Sequence, residues 1–265
     1  MIHDFNEIAL AAELHVVDNY DAKLSLLNDA LDKSLRIILR RWNWNVDEDP
    51  SPYYVAFSGG VDSALIMAKL IKILDEEHEF IRHLFAHTLG ASQLHPDVVA
   101  AKEFWDRIGG FVHLVTEVGA DDSDPYKLLL GAVRKNTKKV ICCDVADELF
   151  GGYYAHQAAK NKLRALKFHM RRMVKQHLVH LTTVSDMADV EVFLPYADPG
   201  VFAAASLFSP EQLVTDTKRK RPIYDLARMH GVPKSILDRR KYGLNSVSWV
   251  AKDTKPKKPK SKRRK

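Results

Sequence analysis

An α/β fold, a parallel sheet of about five strands flanked by helices, is predicted by three observations. Short apolar runs, YYVAF (53–57), IRHLFAHT (81–88), FVHLV (111–115) and KVICC (139–143), alternate with helical spacing over 61–74, 96–108 and 125–135. Glycines mark several of the junctions, as at 59–60 and 109–110. No run of 18 apolar residues interrupts the alternation. Strands that are apolar on both faces and separated by helices imply a parallel sheet wrapped on both sides, with ligands at the edge formed by the strands' carboxyl ends.

The flanking segments follow from the same patterns. Leu24, Leu27, Leu31, Leu35, Ile38 and Leu39 share one helical face within 6–41, with a turn signal at DNYD (18–21), so two packed helices are expected over 1–45. The acids and prolines of 42–52 read as a loop. The α/β domain is expected over 46–200, becoming mostly helical after 150: 159–181, a short strand within 190–195, then 199–207. A helical closing segment spans 201–250, with helices at 221–230 and 233–240.

The formal charge of +6 is unevenly placed. Residues 252–265 hold nine Lys or Arg and one Asp, a net +8, which leaves −2 on residues 1–251. A Lys- and Pro-rich end of this kind cannot offset its ordering entropy, so 251–265 is expected to be a disordered basic tail. It suits nucleic acid, a nuclear address or simple solubility. The N-terminus MIHDFNEIAL carries acids before any hydrophobic block, so no signal peptide and no membrane span is expected, and a cytoplasmic location follows by default. The two cysteines, Cys142 and Cys143, are adjacent, which provides neither a disulfide framework nor zinc spacing; a buried pair at a strand end is expected.

SGGVDS (58–63) follows a strand and opens a helix. Gly59 and Gly60 allow a tight turn whose N–H groups aim at one anion, and the helix dipole adds positive potential. Ser58 and Ser63 add hydroxyl donors. The lysine of the Walker pattern is missing, and Asp62 would repel a phosphate unless a cation lay between them, which points to magnesium. A bare Ser-Gly-Gly is more often only a turn; the strand before and the helix after favour a phosphate site. A second acidic loop, CDVADELFGGYYAH (143–156), ends another strand on the same edge with Asp144, Asp147 and Glu148. Carboxylates so close together require a positive partner or must in part stay protonated, the alternative being a solvated acidic helix start.

The first loop resembles the SGGxDS signature of the N-type ATP pyrophosphatases, which implies a Rossmann-like sheet. DELFGGY (147–153) is similar, letter for letter, to the signature of the asparagine synthetase and β-lactam synthetase group. The resemblance covers roughly 30–250 and implies that Asp62 and Asp147 hold Mg2+ on the pyrophosphate of ATP. It also implies that Ser58, Gly59, Gly60, Asp62, Ser63, His87 and Thr88 line the ATP site, the last two in the stretch that borders the adenine pocket. The chain departs from the group where Cys143-Asp144-Val145-Ala146 replaces Gly-Glu-Gly-Ser, and the shorter Asp144 stands at a glutamate placed near the acyl acceptor. FLPYADPG (193–200) resembles the segment that puts Asp198 beside the acidic site, along with Glu148. KRPIYDLARMHGVPKSILDRRKYGLN (220–245) resembles the closing segment, with Arg221 at a basic position and Lys241 at the lysine that contacts phosphate in the transition state.

The function this implies is an AMP- and pyrophosphate-forming amide ligase. A substrate carboxylate is activated as an acyl adenylate, which ammonia or another amine then captures. The group joins this domain to a glutaminase that begins at an exposed cysteine; with no cysteine before 142, the expectation is a synthetase domain alone, using free ammonia, a separate glutaminase subunit or another amine. The runner-up is a related enzyme acting on RNA or DNA through a basic helix at 160–175, with His169 and His177, and the tail at 252–265. Sulfur insertion into a base would require a persulfide on Cys142 or Cys143, against which strand-end burial argues. A non-catalytic nucleotide-binding module is the third reading, and it predicts ATP binding without pyrophosphate release.

Overall fold

The computed structural model describes residues 19–42, 52–76, 84–90, 93–108, 113–118 and 124–239. The expectations for 1–18, for the basic tail and for Lys241 lie outside these residues. The chain begins with α1 (Tyr20–Trp42), then alternates β1 (Tyr53–Ala56), α2 (Val61–Glu76), β2 (Leu84–Gly90), α3 (Pro96–Ile108), β3 (His113–Val118), α4 (Pro125–Arg134) and β4 (Lys139–Ile141). Two short helices follow, α5 (Ala146–Phe150) and α6 (Tyr154–Ala158). A long helical run then comprises α7 (Lys162–Arg172), a π-helical turn (Met173–His177) and α8 (Leu178–Ala188). Strand β5 (Glu191–Phe193) completes the sheet, and α9 (Pro199–Ser206), α10 (Pro210–Leu213), α11 (Arg221–Met229) and α12 (Lys234–Leu237) follow.

All five strands are parallel, in the order β3-β2-β1-β4-β5. The order reverses between β1 and β4, which pair at Val55 and Ile141, so the loops that leave these two strands diverge to opposite sides and open a crevice between them. The glycine loop leaves β1 and the acidic loop leaves β4. The predicted α/β class and Rossmann-like sheet are therefore observed.

Packing explains why the elements form. Helix α1 buries Leu27, Leu31 and Leu35 completely, a stripe at four-residue spacing that packs on α9 and α2. Each such leucine contributes roughly 1.5–3 kcal/mol. The sequence pattern places α1 correctly and starts it at the DNYD turn, where Asn19 accepts from the Asp21 N–H at 2.9 Å. It misses α5, α6 and α10, whose four or five residues offer too few positions to display a period, and it reads the four-residue α12 as the longer 233–240. Cys142 is buried, but Cys143 is only half-buried and borders a cavity, so the expected buried pair holds for the first cysteine alone.

Candidate active site

The glycine loop is built by local chemistry. Gly59 has φ +63°, in the left-handed region, and a Cβ there would meet Ala100 at 2.9 Å and the Arg239 guanidinium at 2.8 Å. Only glycine fits. Ser58 Oγ lies 3.3 Å from Ser63 Oγ and accepts from the Gly60 N–H at 3.3 Å, while Ser63 Oγ donates to Gly60 O at 3.1 Å. Arg239 ties the loop from outside, donating to Ser58 O at 3.2 Å and Gly59 O at 2.8 Å, and it also pairs with Asp97. Tyr196 OH donates to Asp62 O at 3.1 Å and fixes the first turn of α2.

Asp62 and Asp147 converge from the two strand-end loops. The group that joins them is Lys220, whose Nζ lies 2.6 Å from Asp62 Oδ2 and 2.7 Å from Asp147 Oδ1. Lys220 is only 3% exposed. It stands just before α11 with φ +51°, a left-handed conformation that directs it toward the two acids. Gly152 makes the approach possible, since a Cβ there would come 1.7 Å from Asp147 Oδ1 and 2.2 Å from Lys220 Cε. The second glycine of DELFGGY thus has a steric cause.

A divalent cation suits this pair. Two carboxylates from separate loops already hold one positive group, and a hard oxygen set of one or two carboxylates completed by phosphate oxygens is what magnesium favours. Among the described residues no cluster of three or more His, Cys, Asp or Glu forms a metal site, so polyphosphate and water oxygens would have to supply the remaining positions.

Two cavities meet here. One, of about 390 Å³, is lined on one side by Ser58 and Gly60 and on the other by Arg219, Lys220 and Arg221. The other, of about 570 Å³, contains Ser58, Asp62, Ser63, His87, Asp144, Asp147 and Glu148. Both are of a size that admits a small ligand. At the far wall of the larger cavity Tyr126 OH donates to Asp144 Oδ1, and His177 Nε2 lies 2.6 Å from that phenol oxygen and 2.9 Å from the same Oδ1. The bond to Asp144 raises the His177 pKa, in opposition to burial. Burial, with Asp144 adding to it, raises that of Tyr126. Tyr153 OH donates to Glu148 Oε1 at 2.5 Å, and Glu148 is 4% exposed. Behind them His156 is fully buried, and burial followed by the neighbouring His169 lowers its pKa to about 4.

Three further expected site residues have these contacts. Asp198 caps α9, accepting from the Gly200 N–H at 2.8 Å, and lines neither cavity. Thr88 Oγ1 donates to Phe57 O at 2.7 Å, so its hydroxyl joins β2 to the end of β1. Arg221 stacks over Tyr20 at 4.2 Å and pairs with Asp225 at 3.6 Å, lining the smaller cavity while its neighbour Lys220 reaches the acids. Sequence reasoning missed Lys220, Tyr126 and Tyr153 as site residues. Lys220 was visible only as one cation within KRKR (218–221). The expected basic helix is divided: Arg164, Lys167 and Arg171 face outward, whereas His169 packs on Tyr153 and His177 enters the larger cavity.

Comparison with known proteins agrees with this geometry. The chain is 25% identical over 237 residues to "Asparagine synthetase [glutamine-hydrolyzing]" of Zea mays and 26% identical over 239 residues to "Asparagine synthetase [glutamine-hydrolyzing] 2" of Oryza sativa subsp. japonica. Each match covers 75% of this chain but only 40% of the relative, so the chain spans less than half the length of the proteins it resembles. The asparagine synthase family profile matches residues 48–188, from just before β1 to the end of α8 and including both loops. On that match the chain belongs to the asparagine synthase family.

Proposed function

We propose that this chain is an ATP-dependent amide ligase that forms AMP and pyrophosphate, activating a substrate carboxylate as an acyl adenylate that ammonia or another amine captures. The observation that carries the reading is the meeting of Asp62 and Asp147 on one ammonium, beside the glycine loop and at the point where the strand order reverses. The glycine loop and the first turn of α2 would receive the departing diphosphate, Ser58 and Ser63 as hydroxyl donors and Lys220 as a fixed positive charge. Magnesium bound between Asp62 and Asp147 would supply charge neutralisation on the same group. Lys241 is assigned to stabilise charge around the α-phosphate, and Asp144 to the acceptor side. Groups fixed in this way before the reaction need no reorganisation as charge develops, and this is where such sites gain most of their rate.

The test is pyrophosphate release from ATP and Mg2+ across a panel of carboxylates, with L-aspartate first, together with amines and nucleic acids. Release should depend on one carboxylate and one amine and be insensitive to salt, and Asp62→Asn should reduce it at least 100-fold. Wild type matching Asp62→Asn under every condition ends the reading. A second reading, modification of RNA or DNA, is favoured by the outward Arg164, Lys167 and Arg171 beside Phe168, which is 59% exposed. It predicts instead that release requires nucleic acid and that affinity falls steeply with salt.

A further inference from the structure

Between α7 and α8 the helical run widens into a π-turn, in which the Leu178 N–H reaches back five residues to Met173 O. One residue inserted into an α-helix turns everything beyond it by about 100°, and such turns are rare except where a side chain must be re-aimed. This turn ends on His177, the residue that leaves the basic outer face and enters the larger cavity.

The hydrogen bonding there assigns the protons. Asp144 Oδ1 accepts a hydrogen bond from the Tyr126 hydroxyl and also lies 2.9 Å from His177 Nε2. A bare imidazole lone pair facing a carboxylate oxygen at that distance would be repulsive, so Nε2 carries a proton and donates. Oδ1 is therefore held by two donors from two helices, α4 and the π-turn. Oδ2 has no protein partner among the described residues, and Asp144 is an open wall of the cavity that also contains Asp62 and Asp147.

We propose that His177 is a positioning residue for Asp144: with Tyr126 it immobilises Oδ1 and leaves Oδ2 as the proton acceptor during amine capture. This rests on the ligase reading and names the acceptor end of its site. In the step, the amine nitrogen lone pair forms a bond to the acyl carbon of the adenylate. The bond from that carbon to the AMP oxygen breaks, AMP leaves with the electron pair, and one N–H proton passes to Asp144 Oδ2. The donor must carry an N–H, as ammonia and primary or secondary amines do.

The proposal separates the two half-reactions. Pyrophosphate–ATP exchange reports adenylate formation, and single-turnover amide formation reports capture. Both are measured on the full chain with L-aspartate and ammonium chloride, or with whichever panel pair releases pyrophosphate fastest. His177→Ala should lower the ratio of capture to exchange about 100-fold, within the range by which a positioned base contributes. His177→Gln, whose amide N–H₂ reaches the Nε2 position, should restore the ratio to within about fivefold. Independently of any substrate, the ¹⁵N spectrum of the histidines at pH 7.5 should show the signal lost in His177→Gln as a protonated Nε2. A deprotonated Nε2, or an unchanged ratio whether or not both rates fall, would overturn the proposal. Wild type without exchange on any carboxylate would instead end the ligase reading, and the proposal with it.

Discussion

Two buried lysines show how one chemistry serves two purposes. Lys69, on α2, is fully buried; its Nζ bonds Asn28 Oδ1 at 2.7 Å and Asp32 Oδ1 at 2.7 Å and lies 3.3 Å from His230 Nε2. Lys220 is almost as buried but faces two carboxylates. The first arrangement pairs one cation with one anion and ties α1, α2 and the end of α11 together. The second joins two carboxylates from separate strand-end loops at the junction of two cavities.

Replacing Lys220 by methionine should have the largest effect on function, with pyrophosphate release falling about 100- to 1,000-fold, the scale of a lost electrostatic donor. If release is retained within tenfold, the ammonium has no catalytic part and the contrast with Lys69 fails. Lys69→Met should act in the opposite sense. Asp32, about a third exposed, and Asn28 lose their partner, unfolding free energy should fall by about 1–3 kcal/mol in urea titration, and turnover per folded molecule should stay within twofold. A loss of turnover without a loss of stability would make Lys69 part of the site.

The histidines refine the comparison through pH. Burial, aided by Lys69, lowers the His230 pKa to about 4, and burial with His169 lowers that of His156 to the same region. The unfolded chain therefore binds more protons between roughly pH 6.5 and 4, and the stability these groups allow is full above that window and lost as pH falls through it. His177 has the opposite sign, because its raised pKa contributes stability below about pH 6.5 that is lost as pH rises through the folded value. Thermal unfolding between pH 7.5 and 4.5 should show a falling Tm that is flatter in His230→Asn. An unchanged slope would mean that the Lys69 cluster does not control acid stability.

The smallest effect concerns the acidic loop. Val145 has φ +79°, a conformation that costs a β-branched residue of the order of 1–3 kcal/mol, yet its side chain is 1% exposed. Val145→Gly relieves the strain and removes buried apolar surface of about the same value, so stability should change by less than about 1 kcal/mol. A loss above 2 kcal/mol would show that packing, and not strain, governs this turn.

The difference between the two loops explains what the sequence revealed. The glycine loop has a local signal, SGG and the serine hydroxyls within six residues, so its strand, turn and helix could be read directly even though Arg239 and Tyr196 also hold it from afar. The acidic loop depends on partners far along the chain. Lys220 meets Asp147 across 73 positions (220 − 147), and His177 meets Asp144 across 33. His177 was hidden for a second reason, since a 3.6-residue period carried through 159–181 does not register an inserted residue. Asp198 had a local signal that was not used: an aspartate directly before proline and glycine is the pattern of a helix cap, and capping is what it does.

The tie between α1 and α11 has a consequence for when the site exists at all. Tyr20 OH donates to Asp225 Oδ2 at 2.7 Å, and His230 reaches Asn28 at 2.7 Å, contacts that span 205 and 202 positions. Closing loops of that size carries an entropic penalty that must be met before the contacts return anything, which makes assembly slow. During synthesis the two acids emerge long before the lysine that joins them. A ribosome-bound chain stalled between residue 156 and α11 would carry both signature loops but not the lysine that joins their acids.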